Sequence, residues 1–581
     1  MCQIIVPSSS NDKRVNIFQA IPIQIYFRQI FDIDSNCQIF SKKPSLHFIF
    51  VFVMSSPQDI PIAQHDIISN PAIRAHSHFQ TLLYNLNEQN INGVFNYVID
   101  QNLISENNIF DLIKSFFMCI VGRTNLIPYY IDLLKLLSQS CDIFGSIKTH
   151  LPFFLESFLK NPIIMELNNQ SILSNLDIEN AKSSYIKSYL QSKCQHYSHF
   201  QPELQKISVE IRKYIKEDDG SKLQEFFAHN DQINIDMMSF CNDWPTYSLM
   251  TSKPNLIQYA AQCGSIQCFK FLLMNHACLN QSVQCSHGMM NNRNLDSLHF
   301  AIGGQNLEII RLVMQQGFEL QESHLLVAVE LHNIQLFDWI YENISSVTPN
   351  MLLQYCLKNF FLYGFKQIEG ICWDLLIKWS CFAGFTSLSK VLLDMKPTNN
   401  DYLMYIPFSF ACVSGDLVIV KQLYNEYSIR VFNPVLNHLR RYPLVDSIMH
   451  CNIHIIKYLL TLKPIRDLIN YDCTGSFSYI QTPLIEAAKN NQTEIVKLLL
   501  EIPEININKH ASDRMDNCFP FELIAHNGNM ELVDLFLSRP DFTINEVEFK
   551  MLINENPGNY ETTIDESIRN KITEFYFQQS S

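Results

Sequence analysis

The sequence predicts an all-α chain in which a solenoid of paired helices follows an irregular helical N-terminal region. Three observations carry this expectation. Residues 482–500 read Thr482-Pro483-Leu484-Ile485-Glu486-Ala487-Ala488-Lys489-Asn490-Asn491, then Thr493-Glu494-Ile495-Val496-Lys497-Leu498-Leu499-Leu500, and degenerate copies recur through the C-terminal half. Aligned on the first small residue of the pair, the copies fall at Ala260, Ala301, Ala328, Ser380, Ala411, Ser447, Ala487 and Ile524, with the last alanine displaced to Ala525. Their separations are 41, 27, 52, 31, 36, 40 and 37 residues, a period typical of stacked helical repeats. Finally, each copy joins small residues, a helix stop and an apolar stripe in the same order.

Taken from the N-terminus, residues 1–53 do not match the rest. Leu46–Val53 is an apolar run far shorter than the roughly 20 residues of a membrane span, and it lacks a small-residue cleavage site. Met54-Ser55-Ser56-Pro57 reads as an ordinary start, so 1–53 is expected to be a non-native or disordered extension and 54–74 a flexible leader. Residues 75–230 read as helices without the small pair: Phe110–Val121 and Tyr129–Leu137 carry apolar residues at helical spacing, and Pro128, Pro152 and Pro162 punctuate them. Ile207–Phe227 reads as a helix pair turning at Asp218-Asp219-Gly220.

The array is expected over 231–550, with 551–581 as cap and tail. Paired small residues such as Ala260-Ala261 let a first helix lie close to its neighbour. Gly264, Gly384, Gly415 and Gly528 stand where that helix stops, and glycine readily takes the left-handed conformation needed there. The second helix buries a stripe such as Ile495, Val496, Leu498 and Leu499 against adjoining units, because one unit cannot cover its own apolar face. The 52-residue gap between Ala328 and Ser380 is too long for one unit. A decayed unit or an inserted helical pair is expected at Met351–Trp373, with the stack irregular, bent or broken over 345–375.

These residues resemble the ankyrin repeat (T-P-L-H-x-A-A-x-x-G, then E-I-V-x-x-L-L), most closely at 254–276 and 482–500. The helical leader followed by degenerate copies looks like the large ankyrin families of parasitic protists, over about 75–550. Copies at Ser380, Ser447 and Ile524 depart from the pattern by lacking the leading alanine. The resemblance implies a non-enzymatic scaffold or adaptor that binds protein along a concave face, through the positions just after the small pair. In the middle these are apolar (Phe382, Val413, Met449), and toward the C-terminus polar (Lys489, Asn490), as in an interface core and rim. At His299, the family's Leu-His position, the side chain is expected to tie neighbouring backbones. A second expectation is a substrate-recognition subunit whose helical N-terminal region recruits an enzyme complex such as a ubiquitin ligase. A third, weaker one is an enzyme with an unfamiliar site in that region.

Composition narrows the field. An apolar content of 47% excludes a disordered chain. A net charge of −14 without a basic run beyond His438 and Arg440-Arg441 disfavours nucleic acid as partner, since phosphate neutralisation dominates such binding. Only 17% of residues are charged, and amides take over much of the polar surface. The 17 cysteines include no Cys-x-x-Cys pair; Cys194/His196/His199 and Cys278/Cys285/His287 lack a second half at zinc spacing. Free thiols suit a reducing, cytoplasmic compartment. No phosphate loop, nucleophile elbow or kinase signature occurs, so no catalytic, cofactor or metal residue is expected. Among the tryptophans, Trp339 is expected in the core, and Trp373 and Trp379 in the core or as anchors.

Overall fold

The computed structural model describes residues 67, 69–120, 123, 126–157, 162–181, 202–230, 232–236, 254–280, 283–285, 293–344, 347–368, 373–395, 404–427, 442–471, 473–474, 480–511, 518–553 and 564–580. The expectations for 1–53, for the apolar run at 46–53, for Cys194/His196/His199, for His287 and for His438 with Arg440-Arg441 lie outside these residues.

Apolar spacing without the small pair still builds a regular ladder at the N-terminus. Pro71–Tyr84 packs on Ile109–Cys119, which packs on Ile143–Ser157, which packs on Asn175–Ala181. Ile91–Asp100, Ile127–Leu137 and Pro162–Asn169 form a second row. Phe79, Phe116 and Tyr130 fill its centre edge to face, with ring centroids 5.6 and 5.8 Å apart, the geometry aromatic quadrupoles favour.

From Pro202 onward the chain is an ankyrin-type α-solenoid. First helices stack in one row: Pro202–Lys216, Leu256–Cys263, Ser297–Gly303, Glu322–Glu330, Pro349–Lys358, Trp373–Phe382, Tyr405–Ser414, Pro443–Met449, Pro483–Lys489 and Pro520–His526. Each is followed by its partner, such as Thr493–Leu500 after Pro483–Lys489. The small residues do what their size suggests: Ala260, Ala261, Ala301, Ala328, Ala411, Ala487 and Ala488 are all fully buried. Two short antiparallel hairpins, Val283–Cys285 with Arg293–Leu295 and Cys473–Thr474 with Ile480–Gln481, stand as fingers before first helices.

Across 345–375 the row continues through Pro349–Lys358. Its second helix is reduced to a 3-10 turn, Leu362–Gln367. Two further pairs flank the eight aligned copies: Pro202–Lys216 with Gly220–His229, and Glu546–Ile553 with Glu566–Ser580. Trp373 is buried and donates from Nε1 to the Leu392 carbonyl at 2.8 Å. Trp339 and Trp379 are half-buried against the same core.

Candidate interaction surface

Every first helix of the array listed above ends in the same joint, and the joints form a ledge. The residue closing each one has positive φ: Asp218, Gly264, Gln305, His332, Phe360, Gly384, Gly415, Cys451, Asn491 and Gly528. The following N–H usually returns to the carbonyl of the aligned small residue or its equivalent, as in Ser265 to Ala260, Asn333 to Ala328, Phe385 to Ser380, Asn452 to Ser447 and Gln492 to Ala487. This is the C-terminal closure that satisfies a helix's last carbonyls.

At most joints the residue that follows then reaches back to the preceding unit. Asn306 Nδ2 donates to the Gly264 carbonyl at 2.9 Å, and Asn333 Nδ2 to Gln305 Oε1 at 2.9 Å. Asn452 Nδ2 donates to the carbonyls of Cys412 (2.9 Å) and Val413 (2.7 Å). Gln492 Nε2 donates to the Ile448 carbonyl at 2.7 Å, and Asn529 Nδ2 to Asn491 Oδ1 at 2.7 Å. Amides thus replace charges because each offers a donor for an orphan carbonyl without the cost of burying an ion.

The ladder lacks a side-chain donor at three successive joints, where the residue is Phe361, Phe385 or Asp416, the last of which only accepts, from Thr386 Oγ1. There the helical N-terminal unit supplies the missing groups. Gln80 Nε2 donates to the Phe360 carbonyl at 2.6 Å, and Gln80 Oε1 accepts from Leu362 N–H at 3.3 Å. Lys114 Nζ donates to the carbonyls of Ala383 and, at 2.6 Å, Gly384. One turn earlier, Asp111 accepts the N–H groups of Thr386 (3.0 Å) and Ser387 (2.8 Å) and the Ser387 hydroxyl (2.6 Å). A single face of Ile109–Cys119 therefore closes one array helix and caps the start of the next. Arg123 Nη2 adds a bond to the Leu331 carbonyl at 2.6 Å.

Burial sets the electrostatics here. It pushes the Asp111 carboxyl up to about 6 against the pull of Lys114 and the Ser387 and Thr386 bonds. It pushes the Lys114 amine down to about 7 against Asp111 and Asp416. Asp416, which accepts from Thr386 Oγ1 at 2.8 Å, is raised to about 6 by burial. Lys114 also lies 4.6–5.0 Å from the ring centres of Phe110, Phe153 and Phe360. Burial holds His150 and His332 neutral, down to about 3, and lowers His454. His150 meets His454 of the array at 5.2 Å between ring centres. The His332 imidazole donates from Nε2 to the Asn359 carbonyl (2.8 Å) and faces the Cys119 thiol through Nδ1 (3.5 Å).

The expected partner positions divide by environment. Phe382 is half-buried, edge-on to Trp379 and Phe410. Val413 is buried, its carbonyl held by Asn452. Met449 is half-buried, and Lys489 is exposed. Asn490 is buried and donates to Glu486 Oε1 at 2.8 Å. Asn527 and Gly528 are exposed in the next unit. Asp111, Lys114, Arg123 and Gln80 were not singled out by sequence. A signal existed: Ile109–Cys119 is apolar except for Asp111, Lys114 and Ser115, which share one face at helical spacing.

His299 does bridge units. Its Nε2 lies 3.2 Å from Ser323 Oγ, and its Nδ1 is 2.8 Å from Asp296 Oδ1, which also lies 3.1 Å from His324 Nε2. Burial raises the Asp296 carboxyl, but the two imidazoles outweigh it and hold the group well below the usual carboxylate range. This trio has the donor types of a metal site. However, His324 Nδ1 accepts the Gln321 N–H at 2.9 Å. That bond puts the imidazole proton on Nε2, where a metal would need the lone pair. The cluster fits a hydrogen-bonded strut. The cysteines whose side chains are described are free thiols, and no helix among the described residues is long and apolar enough to cross a membrane.

The class follows from paired helices, small-residue contacts and left-handed joints: an ankyrin-type array. Residues 408–513 match the family model for ankyrin repeats, in three copies. Among solved structures, the chain is similar to the ankyrin repeat domain of human ASB11, at 15% identity, covering 57% of this chain and 98% of that one with a TM-score of 0.16. No curated protein matches the sequence. The chain carries ankyrin repeats, a protein–protein interaction module that is typically non-enzymatic.

Proposed function

We propose that the chain is a non-enzymatic intracellular scaffold or adaptor that binds a protein partner along the concave side of its ankyrin array. The observation that carries this reading is the run of first-helix ends that, among the described residues, stay accessible beyond the docked N-terminal unit. Met449 is half-buried, while Lys489, Asn527 and Gly528 are exposed. Phe382 extends this strip toward the middle, and buried Val413 and Asn490 support it from beneath. Membership of the ankyrin families of parasitic protists belongs to the same proposal, on the order of helical leader and degenerate repeats.

The second reading, recruitment of an enzyme complex such as a ubiquitin ligase, is favoured by the second row of the N-terminal unit. That row presents Asn92, Asn96, Asp132, Lys135 and Met165 to solvent. Proximity labelling in the source cell with the full chain and with Met449→Asp plus Lys489→Glu tests the first reading. Loss of a protein labelled by the unaltered chain, at an unchanged melting temperature, supports it. An identical labelled set refutes it. A catalytic complex lost only on substitution of Asp132 and Lys135 supports the second.

A further inference from the structure

We infer that the ledge from Phe360 to Ser387 is a helix-binding surface which this chain covers with its own Ile109–Cys119 helix, and that the partner it fits is an amphipathic helix presenting a carboxylate and, one turn on, an amine. The inference rests on the scaffold reading and adds which face is read and what reads it.

The demand for those two groups comes from the ledge itself. At most of the other joints a polar side chain of the array donates to the preceding unit. Phe361 and Phe385 have no polar side chain to do so, and Asp416, which stands where a donor to the Gly384 carbonyl would come from, only accepts. The Ala383 and Gly384 carbonyls require a donor, and the Thr386 and Ser387 N–H groups require an acceptor. Asp111 and Lys114 meet both demands from one helix face, because residues three apart are neighbours there. Phe360 adds a second observation. Its φ of 52° is a strained conformation for a bulky residue, and strain of this kind persists where surroundings over-determine it. Gln80 grips its carbonyl, Lys114 lies over its ring, and Phe385 packs edge-on at 4.6 Å.

The cover is built to leave. The N-terminal unit encloses an apolar core of its own, distinct from that of the array; of its side chains, Ile67, Ile73 and Met118 belong to the array's core. Besides those three and Phe153, the contacts that join the two bodies include the buried polar groups of Gln80, Asp111, Lys114 and Arg123, and buried ions gain little net stability because desolvation opposes their attraction. Bodies with largely separate cores move relative to each other by default unless the junction is large and apolar.

The test uses the full chain. Lys114→Glu places a carboxylate against two carbonyls and Asp416 when docked, but meets only water when released. Amide exchange at Thr386 and Ser387 is expected to rise about tenfold or more, with exchange at Asn491 and Gln492 unchanged. Helix content by circular dichroism should hold. A stapled, labelled peptide of residues 106–121 should then bind the Lys114→Glu chain and not the unaltered one. A peptide carrying both Asp111→Lys and Lys114→Glu should fail, since swapping the pair keeps its mutual attraction but mismatches the backbone groups.

Asp111→Lys is the second opening variant. If both variants lose helix content throughout, the units are one body and the inference falls. Unchanged exchange at 386–387, or equal binding of the swapped peptide, also overturns it, and dimerisation of the opened chain without peptide binding assigns the surface to a second copy. Peptide binding with no change in the proteins labelled in cells leaves this inference standing and refutes the scaffold reading for the middle of the array.

Discussion

Replacing Asn452 with alanine tests whether the amide ladder, and not apolar packing alone, joins neighbouring units. Asn452 is buried at the joint after Cys451, and its Nδ2 serves two carbonyls, Cys412 at 2.9 Å and Val413 at 2.7 Å. Both belong to the last turn of Tyr405–Ser414, where the helix offers no partner of its own. Alanine leaves both without that donor in a buried setting. A buried acceptor left unpaired costs about 1–3 kcal/mol, so two cost about 2–4 kcal/mol when the site relaxes in part. Aspartate, which would aim a carboxylate at the same carbonyls, should cost more than alanine. The equivalent Asn529→Ala removes bonds to Asn491 Oδ1 and Thr493 Oγ1, groups that water can reach, and a cap on Leu532 N–H at 3.2 Å, together about 1 kcal/mol. Urea unfolding followed by far-ultraviolet circular dichroism, with amide exchange at Asp416 and Ile419 as the local readout, measures both. An Asn452→Ala cost below about 0.5 kcal/mol, or one no larger than that of Asn529→Ala, would refute the ladder as a structural element.

Three further predictions test the joints, the core and the buried charges. Gly384→Ala should cost more than Gly528→Ala in melting temperature. Both have positive φ, 59° and 68°, and share a left-handed penalty of about 1–2 kcal/mol, but a methyl at 384 meets Phe110 at 2.9 Å and Ser414 at 3.0 Å, while at 528 it meets nothing within 4 Å. Equal costs would deny the close approach of the N-terminal unit. Trp373→Phe should lose about 1 kcal/mol in equilibrium unfolding through its bond to Leu392, and a neutral result would place its indole N–H in solvent. Stability should fall as pH drops from 6.5 toward 5. His150 and His332, held down to about 3 by burial, bind protons only on unfolding across that range, so the unfolded state gains. Asp111 and Asp416, raised to about 6, oppose this between about 6 and 4, because the folded chain keeps protons the unfolded chain releases. Calorimetry from pH 7 to 5 should therefore show a decline that His150→Phe makes shallower. A rise in melting temperature would mean that the carboxyls dominate.

What was legible in the sequence was the part of the fold set by local rules. Small pairs at Ala260-Ala261 and Ala487-Ala488, the glycine stops and the second-helix stripes each specify a neighbour one period away, so repetition exposes them. The joints that lack glycine hid better. Gln305, His332, Phe360, Cys451 and Asn491 adopt the same left-handed turn, held by the units on either side and not by their own preference. For that reason the reduced unit, Pro349–Lys358 with Leu362–Gln367, showed in the sequence only as an over-long gap between Ala328 and Ser380 and not through a motif of its own. Asp111 and Lys114 were invisible for a different cause. Their partners are backbone groups some 270 residues away, and backbone groups carry no residue type for a pattern to detect.

The abundance of asparagine and glutamine was legible only as composition, and its use became clear at the joints. Amides at five of the ten ledge positions, Asn306, Asn333, Asn452, Gln492 and Asn529, donate to oxygens of the preceding unit without charge. Phe361, Phe385 and Asp416, which donate nothing, therefore stand out as positions where the array gave up self-sufficiency. The unit that completes them could in principle have been joined by apolar packing alone. Beside that packing it uses a buried carboxylate and amine, groups whose burial is costly and whose release into water is not, which is the choice expected of a contact meant to open.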